Sequence, residues 1–132
     1  MPKIFQLFLI AFPTFIALDL LWLGVIAKKF YRQEFGHLMM DSPNWTAAII
    51  FYILFVFGII LFVIEPSISR DIKKTLLYSS FFGIVTYATF DLTSLALLKD
   101  WPLKASIFDI VWGAVIVSAV TFITLTIYNK FL

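Results

Sequence analysis

Four long apolar runs dominate the chain, each broken by at most one charge. They cover residues 4–27, 45–64, 75–98 and 105–128, and the charges inside them are Asp19, none, Asp91 and Asp109 in that order. Each run reaches the roughly 20 residues a helix needs to cross about 30 Å of hydrocarbon. A backbone in lipid must satisfy its own hydrogen bonds, so runs of this kind are helices. The pattern predicts an all-α integral membrane protein, a four-transmembrane-helix antiparallel bundle. A single transmembrane domain is expected over residues 1–132, with helices at about 4–27, 45–64, 73–98 and 103–129.

The residues between the runs agree with this division. Ser42-Pro43 reads as a cap followed by a proline in the first helical turn. Glu65-Pro66 ends the second run, Ser69 is a candidate cap for the third, and Trp101-Pro102 closes a very short link into the fourth. Pro13 lies inside the first run, where a kink is expected because the carbonyl of Leu9 loses its partner. Val25-Ile26-Ala27 resembles a signal-cleavage site. The apolar stretch before it, however, is about twice the usual signal core of 7–15 residues, so an anchor is expected. Residues 28–40 mix Lys28, Lys29 and Arg32 with Phe30, Tyr31, Phe35, Leu38 and Met39, the composition of an amphipathic connector lying in the interface.

Composition narrows the chemistry. Only 14% of residues are charged and 62% are hydrophobic, whereas roughly a quarter are charged in soluble domains. There is no cysteine and one histidine, His37, in a connecting segment. Disulfides, thiolate chemistry and a His-rich metal site are therefore not expected, and neither is a cofactor. No soluble face carries a basic patch, so nucleic acid is not an expected partner. The expected partners are membrane lipids and an apolar or cationic small molecule, with a homo-oligomer left open. We call the membrane side of the N-terminus side A and the opposite side B. Lys3, Arg70, Lys73, Lys74 and Lys130 fall on side A, and Lys28, Lys29, Arg32, Lys99 and Lys104 on side B. Five against five gives no orientation by the positive-inside rule; the termini share a side, with a lean toward the cytoplasm.

The three intramembrane aspartates carry most of the functional information. An aspartate at a helix centre costs about 2.5–3.5 kcal/mol on insertion scales, and no Lys or Arg lies inside the runs to offset it. At 1.5 Å per residue, Asp19 and Asp91 fall about 5–6 Å past the middle of their helices, and Asp109 about 10 Å before the middle of its own. All three depths lie in the half of the membrane nearer side B, with Tyr52 of the second run in the same layer. Helical spacing gives inward stripes of Phe15, Asp19, Trp22 and Leu23; of Gly83, Tyr87, Asp91 and Ser94; and of Ser106, Asp109, Trp112 and Gly113. Candidate cavity, proton-binding or ligand-binding residues are thus Asp19, Trp22, Tyr52, Tyr87, Asp91, Ser94, Asp109 and Trp112. Like charges at close range in a low dielectric do not all ionise, so the layer should share a proton or bind a cation. Aromatic faces favour a cationic or flat apolar guest. The plainer alternative is that the acids only join helices. Ser118, Thr121, Thr124 and Thr126 read as back-bonding or close-packing positions, and Gly24, Gly58, Gly83 and Gly113 as points of close helix contact.

Three segments carry a family resemblance: Tyr87-Ala88-Thr89-Phe90-Asp91-Leu92-Thr93, Lys99-Asp100-Trp101-Pro102-Leu103 and Asp109-Ile110-Val111-Trp112-Gly113. With Asp19-Leu20-Leu21-Trp22-Leu23-Gly24 they resemble domain of unknown function 2177, a family of small bacterial membrane proteins. The sequence departs from that pattern at Ser94, where the family has Asn, and at Asp100, where it has Gly. The resemblance implies a multi-pass protein of the bacterial inner membrane and implies no activity. Three functions stay open: proton- or cation-linked transport or binding of a small solute, a non-catalytic assembly or regulatory subunit, and a membrane-embedded enzyme acting on a lipid or isoprenoid.

Overall fold

The computed structural model describes residues 1–132 and contains helices and no strand. Helix α1 (Lys3–Leu21) runs on through a wide π turn at Trp22–Ile26. Helix α2 (Lys28–Phe35) is short. Helix α3 (Trp45–Ile59) continues through a second π turn, Ile60–Ile64, into the 3-10 turn Pro66–Ser69. Helices α4 (Ile72–Leu97) and α5 (Leu103–Phe131) complete the chain. Counted with their continuations, α1, α3, α4 and α5 span 24, 25, 26 and 29 residues and are apolar enough to cross a membrane. This is a four-helix integral membrane protein. Its outward side chains, among them Leu9, Phe62, Leu77 and Leu97, are exposed hydrophobics suited to hydrocarbon.

Two helix starts differ from the sequence expectation. The α3 cap is Asn44, whose side chain accepts a hydrogen bond from the Ala47 amide at 3.1 Å, in place of Ser42. The α4 cap is Asp71, which accepts from the Lys74 amide at 2.7 Å, in place of Ser69. In both cases an equally good capping side chain stands closer to the first helical turn. Pro13 sits within α1 without ending it.

Neighbours in the bundle are antiparallel. Helix α1 packs against α3 and α5, and α4 against α5 in the most extensive interface. That interface is close because two glycines face each other across it. A Cβ on Gly83 would lie 2.1 Å from the Gly113 carbonyl oxygen, and one on Gly113 would lie 2.5 Å from the Tyr87 ring. Gly58 meets only an ordinary contact from Phe82, and Gly24 meets nothing within 4 Å, so the expectation of close contact fails at Gly24. In lipid, helices gain little from apolar burial as such; close van der Waals packing holds them together.

The packed core lies from the Gly83–Gly113 level toward side A. It joins Leu7, Ala11 and Phe15 to Phe55, Val56, Ile59, Ile60, Val63 and Ile64, and to Ile116, Val117, Val120 and Leu125. Ser118 is bonded across to α4, 3.2 Å from Ser79 and 3.0 Å from Ser80. Thr126 back-bonds to Phe122, as expected of that stretch. Thr121 and Thr124 are buried without a hydrogen-bond partner, so packing is their role here.

Candidate functional site: an acid-lined cavity

Above the glycine contact, toward side B, the interior changes character. On α1 the buried positions Leu7, Ala11, Phe15 and Asp19 recur every fourth residue, which puts Asp19 at the side B end of an inward row. Asp19 is 7% exposed. Its Oδ2 accepts a hydrogen bond from the Tyr52 hydroxyl of α3 at 2.7 Å. The indole N–H of Trp112 lies near the same carboxyl but does not close a well-formed hydrogen bond to it.

Asp109 of α5 has a different partner. Its Oδ1 accepts from the Tyr31 hydroxyl at 2.7 Å, and that hydroxyl accepts from the Trp22 indole N–H at 3.2 Å. Trp22 in turn stacks on Trp112, with ring centroids 4.5 Å apart and planes within 7°. Tyr31 belongs to α2, outside the spans, and is 8% exposed. Burial pushes its phenol above the ordinary tyrosine value, so it stays a hydrogen-bond donor to Asp109 at neutral pH. Helix α2 is therefore more than a connector lying on the surface: it inserts one side chain into the acid layer.

Asp91 of α4 is fully buried, and neither carboxyl oxygen meets a donor. The carboxyl of Asp109 is close enough to act on it electrostatically. An unpaired buried carboxyl is costly, so this pair is the electrostatic centre of the site. No lysine pairs with any of the three acids. The one ion pair in the chain joins Lys3 to Glu65 at 4.0 Å on side A, and Lys104 rests over the Phe30 ring. The three carboxyls do not gather tightly enough to act as a trio of metal ligands.

Beside these acids is a cavity of about 440 Å³, lined by Asp19, Leu23, Phe51, Tyr52, Phe55, Thr86, Tyr87, Phe90, Asp109 and Trp112. Of the residues expected from the sequence, Asp19, Tyr52, Tyr87, Asp109 and Trp112 line it directly. Trp22 and Asp91 stand behind it, the first stacked on Trp112 and the second against Asp109. Ser94 is off the cavity and partly buried. Sequence reasoning missed Tyr31, Phe51, Phe55, Thr86 and Phe90 as parts of the site. For Tyr31 a signal existed: Ala27, Tyr31 and Phe35 recur every fourth residue on one face of a segment otherwise rich in charge.

A family model described as "Predicted membrane protein (DUF2177)" matches residues 4–126. The chain belongs to the DUF2177 family. Every residue of the cavity, together with Trp22, Tyr31 and Asp91, lies inside the part that matches DUF2177. No curated protein and no solved structure matches the chain. Asp100, where the resemblance implies Gly, stands out by its backbone conformation. Asp100 has φ 60°, the one non-glycine residue in the left-handed region, in the tight link between α4 and α5. Glycine takes that conformation without a Cβ penalty. The link is also held by His37, whose Nε2 lies 2.9 Å from the Asp100 carbonyl oxygen.

Proposed function

We propose that this protein binds a small cationic or apolar molecule within the membrane, and that binding is linked to release of a proton. The observation that carries the reading is a cavity with two carboxyls and several aromatic faces in its wall and no basic residue to neutralise them. Its volume is in the range of small-molecule sites, about 300–1,000 Å³. Without a guest, one proton shared between Asp91 and Asp109 supplies the hydrogen bond that neither oxygen of Asp91 otherwise has. A cation entering beside Asp109 competes with that proton and displaces it. Trp112, Tyr52 and Tyr87 offer ring faces to the same cation. Binding of this kind is also the first step of a proton-linked transport cycle.

The test is proton release. The full chain in nanodiscs, lightly buffered with an indicator dye, is titrated with phenethylammonium as an aromatic cation probe. Wild type should release protons on binding. Asp109→Asn and Asp91→Asn should remain folded and release none, because the amide keeps the shape and hydrogen bonding of the acid and cannot exchange a proton. Asn variants that bind and release as wild type does would leave the acids as helix-joining groups only.

A further inference from the structure

The walls of the cavity differ from its mouth, and the difference bears on what enters. Helices α3 and α4 are tied together on side A by the turn through Pro66–Ser69. Toward the middle of the bundle they meet through aromatic rings, Phe62 with Phe82, Phe55 with Phe82, and Phe55 with Tyr87, at centroid distances of 6.5, 6.1 and 6.0 Å. Nearer side B, α3 packs against α1, and it shares no extended interface with α4. The cavity occupies the resulting gap. Its outer rim is Phe51 of α3 and Phe90 of α4, which are 50% and 57% exposed, together with Leu23. Phe51 shares its outward face with the lipid-exposed Leu54, and Phe90 shares its own with Leu97. No residue of α2 lines the cavity. The gap therefore opens sideways to hydrocarbon through an apolar rim, while its inner end presents Asp19 and Asp109.

The polar groups inside are weighted toward acceptors. Tyr52 spends its hydroxyl proton on Asp19, Tyr31 spends its own on Asp109, and Thr86 bonds back to its helix. What is left for a guest is the oxygens of two carboxyls, with the Trp112 indole N–H and the Tyr87 hydroxyl as the two uncommitted donors and no cation among them. An anionic head would meet repulsion and no cation; a protonated amine would meet two acceptors and aromatic faces. The volume takes a head group and only part of a long chain, so the rest must leave through the rim.

We propose that the ligand of this cavity is a single-chain amphiphile with a protonated amine head, taken laterally from the side B leaflet. Its head lies between Asp19 and Asp109, and its alkyl chain passes out between Phe51 and Phe90. This rests on the reading given under Proposed function and adds the ligand class and the route of entry.

The chain has no native cysteine, so a single engineered thiol reports on one place. Phe90→Cys in nanodiscs, bare or carrying a bulky maleimide, is titrated with dodecylamine, dodecanol and phenethylammonium, and binding is read from tryptophan fluorescence. Circular dichroism confirms that the labelled and bare forms fold alike. Dodecylamine should bind at least tenfold more tightly than dodecanol, and the label should weaken dodecylamine at least tenfold more than it weakens phenethylammonium, which has no long chain to pass the rim. If phenethylammonium binds and the label leaves dodecylamine unaffected, lateral entry is wrong and the cation site stands. If dodecanol binds as well as dodecylamine, the amine is not what is recognised and the proposed class is wrong. If neither amine binds, the cation site fails and this inference fails with it.

Discussion

Toward side A the interior of this bundle is aliphatic and closed; toward side B it is aromatic, acidic and hollow. The same four helices build both halves, and the change falls at the level of Gly83 and Gly113. Helices in lipid are held by dispersion and close fit, and a cavity forfeits those contacts along its walls. The hollow half therefore depends on the dense half for its stability. The comparison teaches that the two halves should answer to different measurements, stability for one and ligand or proton behaviour for the other.

The sharpest way to break this division is at the glycine contact. Gly83→Val places a branched side chain against the α5 backbone, where even a Cβ would be 2.1 Å from an oxygen. The expected loss is about 3 kcal/mol or more, at or beyond the top of the overpacking range, read as reversible unfolding in mixed micelles. Gly24→Ala is the control, since nothing lies within 4 Å of that position, and it should not destabilise. Comparable losses at both positions would mean that the waist is not special.

Next in size is truncation within the dense half. Ile60→Ala removes a fully buried side chain of the core and should cost about 2–4 kcal/mol. Phe51→Ala, at the rim of the cavity, should cost less than about 1 kcal/mol, as surface changes do. Equal costs would remove the contrast between a structural half and a functional one.

Tyr31→Phe tests whether α2 belongs to the site. It deletes the donor to Asp109 and leaves the ring contacts with Trp22 and Phe35. A loss of about 1–3 kcal/mol is expected for a hydrogen bond to a carboxyl group, with faster amide exchange confined to residues 28–35. Unchanged exchange there would return α2 to the role of a passive connector. The smallest effect is expected at Asp100. Asp100→Gly relieves the left-handed backbone in the α4–α5 link and should stabilise by up to about 1 kcal/mol, seen as a small rise in melting temperature. Asp100→Val should do the opposite.

The fold was open to sequence reasoning because hydrocarbon permits few solutions. A long apolar run must be a helix there, and the inward faces follow from where the aspartates fall. The same logic put Asp19, Asp109, Tyr52, Tyr87 and Trp112 around one space, since four of them lie on the inward helical rows and Tyr52 shares their depth. Tyr31 escaped because its segment is polar overall, and its row with Ala27 and Phe35 marks an inward face without showing that the ring reaches the acid layer. Phe51 and Phe90 escaped for the opposite reason: in a run where almost every residue is apolar, periodicity does not separate a cavity rim from a lipid-facing surface. The pairing of Asp91 with Asp109 was legible as depth but not as contact, because depth along an axis carries no azimuth. The two caps at Asn44 and Asp71 were misplaced by two residues, within the usual uncertainty of helix ends.

The contact between Gly83 and Gly113 also has a mechanical meaning. Backbone rests on backbone at Gly83, and the Tyr87 ring lies flush against Gly113, so α4 and α5 are coupled as one stiff lever.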